Sequence, residues 1–540
     1  MNEAPCQPTA NRHSPGLRSA TAVALCWLAA AAVFGLGPAR IGFVSDDHDL
    51  IATAGSRPWL KPLEEHHYSP VMGALWKLTS EGVIGPKTWH ALALAAHCAN
   101  ILLLCLILVR RLSVARFQAW MAAVLFAVNA PGFEALAWAC GLGYVLVTFC
   151  ILMALYVALS RPEEVSRRTP WVLAILQLAA YAIWDWAALL APIVVTSHVL
   201  FSPPRNAAQA TRSARLLLPM AACWAAVPIV KHCLGIALGY GVTLDLARSA
   251  YFVLTAPLRT VYPWGEAALF KSPAGLAAAV LVVFVFAAGS RADRRMGWAF
   301  AVFLLCQGPY ALLGAPESRY FYLSTAFFAC AAVVGLARLP DRRLRWALLI
   351  ALVGLHGLCS AGRALLWKGA YREAVHVKDA IEAIADGERG RELVVVNLPD
   401  RYGPAGLVWR PYVWRRGLSA IRARIVRVNT PGCPFTWADS GIPTLPPERI
   451  ASEYAGRRIC EVIYAEPGWW QVFAVVPWDA AGHFTREGGR IGSGPDGGTG
   501  AAGSSLAAAG LPAAGAPAAP AGIARAPAAA AGPGSAMSDR

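Results

Sequence analysis

The strongest constraint on this fold is a run of apolar side chains at residues 19–37, followed by ten more of similar character. An α-helix needs roughly 20 apolar residues to cross a hydrocarbon core about 30 Å thick. The first run exceeds the ~7–15 residues of a signal-peptide core, and "GPARIGF" makes a poor cleavage site, so it reads as an anchor. Further runs lie near 89–109, 117–130, 140–160, 171–183, 187–201, 216–238, 273–289, 297–313, 320–337 and 345–361, giving about eleven spans. The two beside "AIWDWA" are short enough to read alternatively as one broken helix. A chain that is 57% hydrophobic and 15% charged, with mean hydropathy +0.47, fits a polytopic helical membrane protein rather than several soluble domains.

The cations set the expected orientation. "RRLSVAR", "RPEEVSRRTP", "SPPRNAAQATRSAR", "SRADRR" and "ARLPDRRLR" each hold at least three arginines, and eleven crossings put all five on one side with the N-terminus, residues 1–18. Short loops rich in Lys and Arg stay cytoplasmic. The opposite, periplasmic side receives the acidic first loop at 39–88, "PGFEALAW", residues 239–272, "APESR" and everything after about 362. The net charge of +16 is therefore a topology signal and not a nucleic-acid footprint. The setting expected is a bacterial inner membrane.

Beyond the spans of 19–361, residues 362–483 change character. "RELVVVNLPDRYG", "ARIVRVNT", "RICEVIYAE" and "WQVFAVVPW" read as strands of a small β-rich or α/β exported domain. Most of the 13 cysteines fall in or beside spans, as small buried hydrophobes. Cys433 and Cys460 stand in the exported part, where an oxidising compartment permits a disulfide. Residues 484–540 are Gly, Ala, Pro and Ser with almost no large apolar side chains, a composition expected to stay disordered.

Candidate chemistry gathers on the outer side. Asp46, Asp47, His48 and Asp49 follow the first span. Carboxylates at a membrane boundary serve as a general base toward a hydroxyl, or as hard oxygen ligands for a divalent cation such as Mg or Mn. "SPVMGALWKLTS" reads as a short amphipathic helix that starts with Ser69 as cap and Pro70 in its first turn, with Val71, Leu75 and Leu78 on its apolar face. His66 and His67 lie just before it. Glu134 and Trp138, Asp185 between two tryptophans, and Glu317 with Arg319 and Tyr320 occupy the later outer loops, and ionisable groups at spans are functional candidates. His90, His97 and Asn100 in the second span read as helix-to-helix hydrogen-bonding groups rather than metal ligands.

The Asp-Asp pair, "HHYSPVMGALW", "HALALAAHCANILLL", "EALAWACGLGYVLVTF" and "ESRYFYLS", in that order over residues 20–340, resemble the multi-spanning glycosyltransferases of the GT-C fold, related to the protein O-mannosyltransferases. The resemblance implies transfer of a sugar from a polyprenyl-phosphate donor to a protein, lipid or polysaccharide acceptor on the outer face, with inversion. It gives Asp46 or Asp47 the role of base or metal ligand, places Asp49, His66, His67, Glu134, Trp138 and Asp185 in support, and puts Arg319 and Tyr320 at the donor phosphate. The pattern departs at Leu142, Tyr144 and Trp184, where relatives carry charged residues. The alternative is a non-catalytic membrane protein, a transporter or flippase of lipid-linked glycans or an envelope scaffold. Transporters place polar groups near the midplane, whereas here they cluster at the boundary.

Overall fold

The computed structural model describes residues 15–44, 46–59, 69–161, 164–204, 206–233, 245–263, 272–313, 318–386, 393–396, 401–402, 407–408, 424–426, 445–455, 457–466 and 472–477. The chain divides into units Met1–Gly489 and Arg490–Arg540, and the second lies wholly outside the described residues, as does the expected tail.

The helices in chain order are α1 (Pro15–Leu36), α2 (Asp46–Ser56), α3 (Pro70–Ser80), α4 (Pro86–Leu106), α5 (Arg116–Val128), the single turn α6 (Glu134–Ala137), α7 (Leu142–Ala158), α8 (Thr169–Ile183), α9 (Leu190–Phe201), α10 (Ala207–Cys233), α11 (Leu246–Val261), α12 (Pro273–Ala292), α13 (Arg294–Leu313), α14 (Tyr322–Leu336), α15 (Arg342–Asp386) and α16 (Pro447–Glu453). Among the described residues, six helices are long and apolar enough to cross a membrane. Their burial sorts them. The window of α14, apolar all round, is 83% buried at the centre of the bundle, whereas those of α10 and α12 are 11% and 17% buried and face outward.

Side-chain contacts define two chemically distinct ends. At one, Arg111 bonds the Tyr156 carbonyl at 3.0 Å and pairs with Glu164. There too His198 joins Ala158 O at 3.0 Å to Ser213 Oγ at 3.1 Å, Arg294 covers the Phe201 ring at 5.6 Å, and Arg338 meets Asp293 at 2.5 Å. The five arginine-rich connections thus share one end. The residues of the acidic segment and of 129–141 meet at the other. Helices α1, α4, α5, α7, α8, α9, α10, α12, α13, α14 and α15 run between these ends; α4, α7, α10, α12, α14 and α15 are the six of membrane-crossing length, and α1, α5, α8 and α9 are shorter apolar helices. The "AIWDWA" break separates two crossings, α8 and α9, joined by a 3-10 turn at Asp185–Leu189.

Three elements depart from the sequence reading. The acidic first loop is largely helical, with Asp46 opening α2. The 239–272 segment contains α11, capped by Asp245 accepting the Arg248 N–H at 2.9 Å, and burying Phe252, Thr255, Ala256 and Thr260. Its inward residues recur at helical spacing, from Phe252 through Thr255 and Ala256 to Thr260, an amphipathic pattern that a reading for apolar runs of membrane length passes over. The last span runs on unbroken to Asp386, 25 residues past the expected end at 361.

α15 leads into a four-stranded sheet. Strand β1 (Leu393–Val396) is followed by β2 (Arg401–Tyr402), β3 (Leu407–Val408), β4 (Arg424–Val426), β5 (Arg458–Glu466) and β6 (Val472–Pro477). The order is β4-β1-β5-β6, with β1 parallel to both neighbours and β5–β6 antiparallel, while β2 and β3 pair separately. Strand side chains alternate between faces. Leu393 and Val395 share a core with Val377 and Ile381 of α15, and Val394 and Val396 pack with Ile450 and Tyr454 of α16. Buried on both faces, β1 is the continuous apolar run read from "LVVV". Cys460 is buried on β5 opposite Val395, and Cys433 lies outside the described residues.

At the arginine-rich end, burial alone would push the Asp293 carboxyl up, but the hydrogen bonds from Arg338 and the Arg295 amide hold it below the usual carboxylate value. A carboxylate depressed in the fold contributes stability that is present above its unfolded value of about 4 and is lost as pH falls through the folded one. Asp293→Asn keeps the amide acceptor and removes the charge. In detergent, the melting-temperature gap between wild type and this variant is therefore expected at pH 7 and should shrink below about pH 4; a gap that does not change with pH would contradict the assignment.

Candidate functional site

The site end is built around non-helical backbone. Residues 41–44 leave α1 extended, and residues 129–141 form an irregular connection between α5 and α7. Ile41 and Val44, and all of 129–141 except Glu134, are buried, so their backbone groups need protein partners. Asp47, fully buried in the first turn of α2, supplies two: its Oδ2 accepts the Val44 N–H at 2.9 Å and its Oδ1 accepts the Cys140 N–H at 3.0 Å. Trp138 Nε1–H donates to the Val44 carbonyl at 3.2 Å, and His90 bonds the Ile41 carbonyl at 3.1 Å. One carboxylate thus ties two outer segments 93 positions apart.

Asp47 therefore stands in this structure as an acceptor for backbone amides, one on each carboxylate oxygen. Asp46 and Asp49 share the same helical turn, where negative charge complements the helix dipole; their backbone is described and their side chains are not. His66, His67 and Glu317 lie outside the described residues. Among the described residues, no group of three or more His, Cys, Asp or Glu converges to hold a metal.

The structure brings Glu134, Trp138, Arg319 and Tyr320 together. Glu134 opens the short turn α6, and Arg319 stands in the 3-10 turn Ser318–Phe321 that leads into α14. Arg319 Nη1 donates to Glu134 Oε1 at 2.6 Å, and its backbone N–H points to Oε2 at 3.4 Å. Its guanidinium lies 4.7 Å from the Trp138 ring centroid and 5.0 Å from that of Tyr320. A guanidinium between two aromatic faces keeps its planar fork oriented. Both partners are largely buried, at 14% and 18% side-chain exposure, so the pair is shielded without being sealed.

Beside it stands an aromatic wall. Tyr320 stacks on Trp186 at 6.1 Å between centroids, and Tyr144 lies 5.7–6.0 Å from Trp184, Trp186 and Tyr320. Tyr144 and Trp184 occupy two of the positions where charged residues were expected by resemblance, and here they make rings instead. The third, Leu142, is fully buried. Asp185, between the tryptophans, pairs with Lys231 of α10. The lysine absent next to Asp185 in sequence is thus supplied 46 positions later, and Lys231 was legible as a lone cation within an apolar run.

Arg363 is the other residue the sequence reading passed over. It lies two positions beyond the expected end of the last span, and it bonds the carbonyls of Ala130 at 2.5 Å and Pro263 at 2.7 Å. It thereby holds the base of the same irregular connection. His97 and Asn100 act as helix-to-helix hydrogen-bonding groups, as expected: His97 Nδ1 is 2.6 Å from Tyr322 Oη, and Asn100 donates to that oxygen and to Val145 O. Trp76 stacks on Trp89 at 4.0 Å, and α3 buries Met72, Gly73, Trp76 and Thr79. The inward face of α3 is thus formed by Met72 and Trp76, which adjoin Val71, Leu75 and Leu78 on the apolar side of the helix, and Val71 stays 40% exposed. Ser69 sits at the cap position but makes no capping hydrogen bond.

The chain is similar to the crystal structure of ArnT from Cupriavidus metallidurans in the apo state, with TM-score 0.45 and 13% identity over 86% of this chain and 99% of that one. It is also similar to ArnT from the same organism bound to undecaprenyl phosphate, with TM-score 0.42 and 11% identity over 85% and 97%. No family model and no curated protein matches the sequence.

Two substitutions test the scaffold. Asp47→Ala leaves the Val44 and Cys140 amides without this acceptor, at roughly 1–3 kcal/mol for each buried donor, and should lower the melting temperature in detergent. Gly132 is the second: a Cβ there would meet Tyr322 Cα at 2.5 Å. Gly132→Ala should cost about 1–3 kcal/mol by forcing the connection off α14; an unchanged melting curve for either would show that the packing is not as described.

Proposed function

We propose that this protein is a membrane glycosyltransferase of the GT-C type, which moves a sugar from a polyprenyl-phosphate donor to an acceptor at the end opposite the arginine-rich loops. The observation that carries the reading is the Glu134–Arg319 pair held between Trp138 and Tyr320, beside the segment that Asp47 pins. The ordered motifs of the sequence point the same way. By the distribution of arginines, this end faces the periplasm of a bacterial inner membrane.

The donor enters from the bilayer with its phosphodiester at the boundary. Arg319, with five N–H donors on a planar fork, holds the phosphate oxygens. The wall of Tyr144, Trp186 and Tyr320 presents flat apolar faces suited to one side of a sugar ring. Asp47 is engaged by amides, so the base is assigned to its neighbour Asp46. Asp46 takes the proton of the acceptor hydroxyl as that oxygen bonds to the anomeric carbon. The bond from that carbon to the phosphate oxygen breaks, and the electron pair leaves with polyprenyl phosphate, whose added charge Arg319 stabilises. Attack opposite the leaving phosphate inverts the anomeric centre.

Transfer of radiolabelled sugar from a panel of polyprenyl-phosphate donors into membranes holding matched amounts of each variant tests this. Asp46→Asn should lower the rate by about 10²–10⁴-fold, and Arg319→Lys, which keeps the charge but loses the fork, by on the order of 10². No transfer by the folded wild type with any donor and a wide acceptor mixture would favour flipping or scaffolding.

A further inference from the structure

A second site lies at the arginine-rich end, remote from the residues above. Phe117 and Gln118 at the start of α5, Val333 and Leu336 at the end of α14, and Leu349 of α15 enclose a cavity of about 370 Å³, whose rim carries Arg342 and Arg345. That volume is within the ~300–1,000 Å³ typical of small-molecule sites. Its walls divide by chemistry. Val333 and Leu349 are buried, and Phe117 on its wall is 41% exposed, an apolar lining that fits lipid tails. Trp346 also lines the cavity, with its ring 4.6 Å from that of Phe117.

The cations are available to a ligand. Arg345 donates from Nη2 to the Leu339 carbonyl at 3.1 Å, but its buried Nε–H finds no acceptor among the described residues. A buried N–H on a guanidinium without an acceptor is costly, and an anionic oxygen satisfies it. Arg342 is exposed at the rim. Two carboxylates of the same end are engaged elsewhere: Asp341 accepts the Arg343 and Leu344 amides at 2.7 and 3.4 Å, and Asp293 holds Arg338. A phosphate over two arginines with an apolar cleft beneath it is the pattern of a phospholipid.

We propose that this cavity binds an anionic phospholipid, its phosphate between Arg342 and Arg345 and its glycerol and upper acyl carbons against Val333, Leu336 and Leu349. Basic pockets between membrane helices take anionic headgroups in this way. The site is independent of the sugar-transfer reading.

Native mass spectrometry of the full chain, exchanged into detergent with phosphatidylglycerol, with phosphatidylcholine or with inorganic phosphate, tests it. Wild type should retain phosphatidylglycerol over phosphatidylcholine and gain no thermal protection from phosphate. Each basic residue counts for roughly fivefold in anionic-lipid affinity, so Arg342→Gln with Arg345→Gln should weaken retention by about 25-fold. Arg291→Gln with Arg343→Gln removes the same charge from the same end, away from the cavity, and should retain the lipid. Equal retention of both lipids, protection by phosphate alone, or equal loss in the two double variants would each overturn the proposal. Melting curves of the variants separate lost binding from lost folding.

Discussion

A membrane interior offers no water to an amide outside a helix, and residues 129–141 are irregular backbone that the helices almost entirely enclose. Local turns satisfy many of its amides, and side chains supply partners for others. Asp47 brings two acceptor oxygens from the start of α2, Asn129 Oδ1 takes the Gly132 amide at 3.1 Å, and Arg363 satisfies the carbonyl of Ala130 from α15. The acidic segment that stands out in the sequence is thus partly structural. One of its carboxylates is consumed in keeping the connection folded, and that connection in turn presents Glu134 and Trp138.

The same economy governs charge. Ionised groups at this depth persist when paired, and the pairs here join distant parts of the chain: Glu134 with Arg319 and Asp185 with Lys231. Losing one member would strand the other, so each pair fixes the relative position of two crossings. Aromatic rings then occupy the space around Arg319. Among the described residues, this boundary surface thus combines the Glu134–Arg319 and Asp185–Lys231 pairs with several flat rings.

Much of this was legible before any coordinates. Apolar runs of near-membrane length located the crossings, and the arginines sorted their connections to one end. Trp138 and Arg319 were recognisable as candidates because boundary aromatics and cations are conspicuous in such a chain. Where the reading slipped, the cause was local ambiguity. α11 carries its pattern as an amphipathic period at 252, 255, 256 and 260, which a search for uniformly apolar runs does not register, and α15 continues past 361 because its later turns pack Val377 and Ile381 on the sheet rather than in lipid. Periodicity alone placed Trp76 beside the apolar face of α3 and did not say that it, rather than Leu75, wins the core.

The sequence by itself determined that the chain is helical and crosses a membrane many times, since no other structure satisfies the backbone of so many long apolar runs. It also determined which connections are cationic. Tertiary structure alone decided which acid is committed and which cation answers which anion. Asp47 and Cys140, or Asp185 and Lys231, meet through packing between helices, and the energy of that packing depends on shape across the bundle rather than on spacing along the chain.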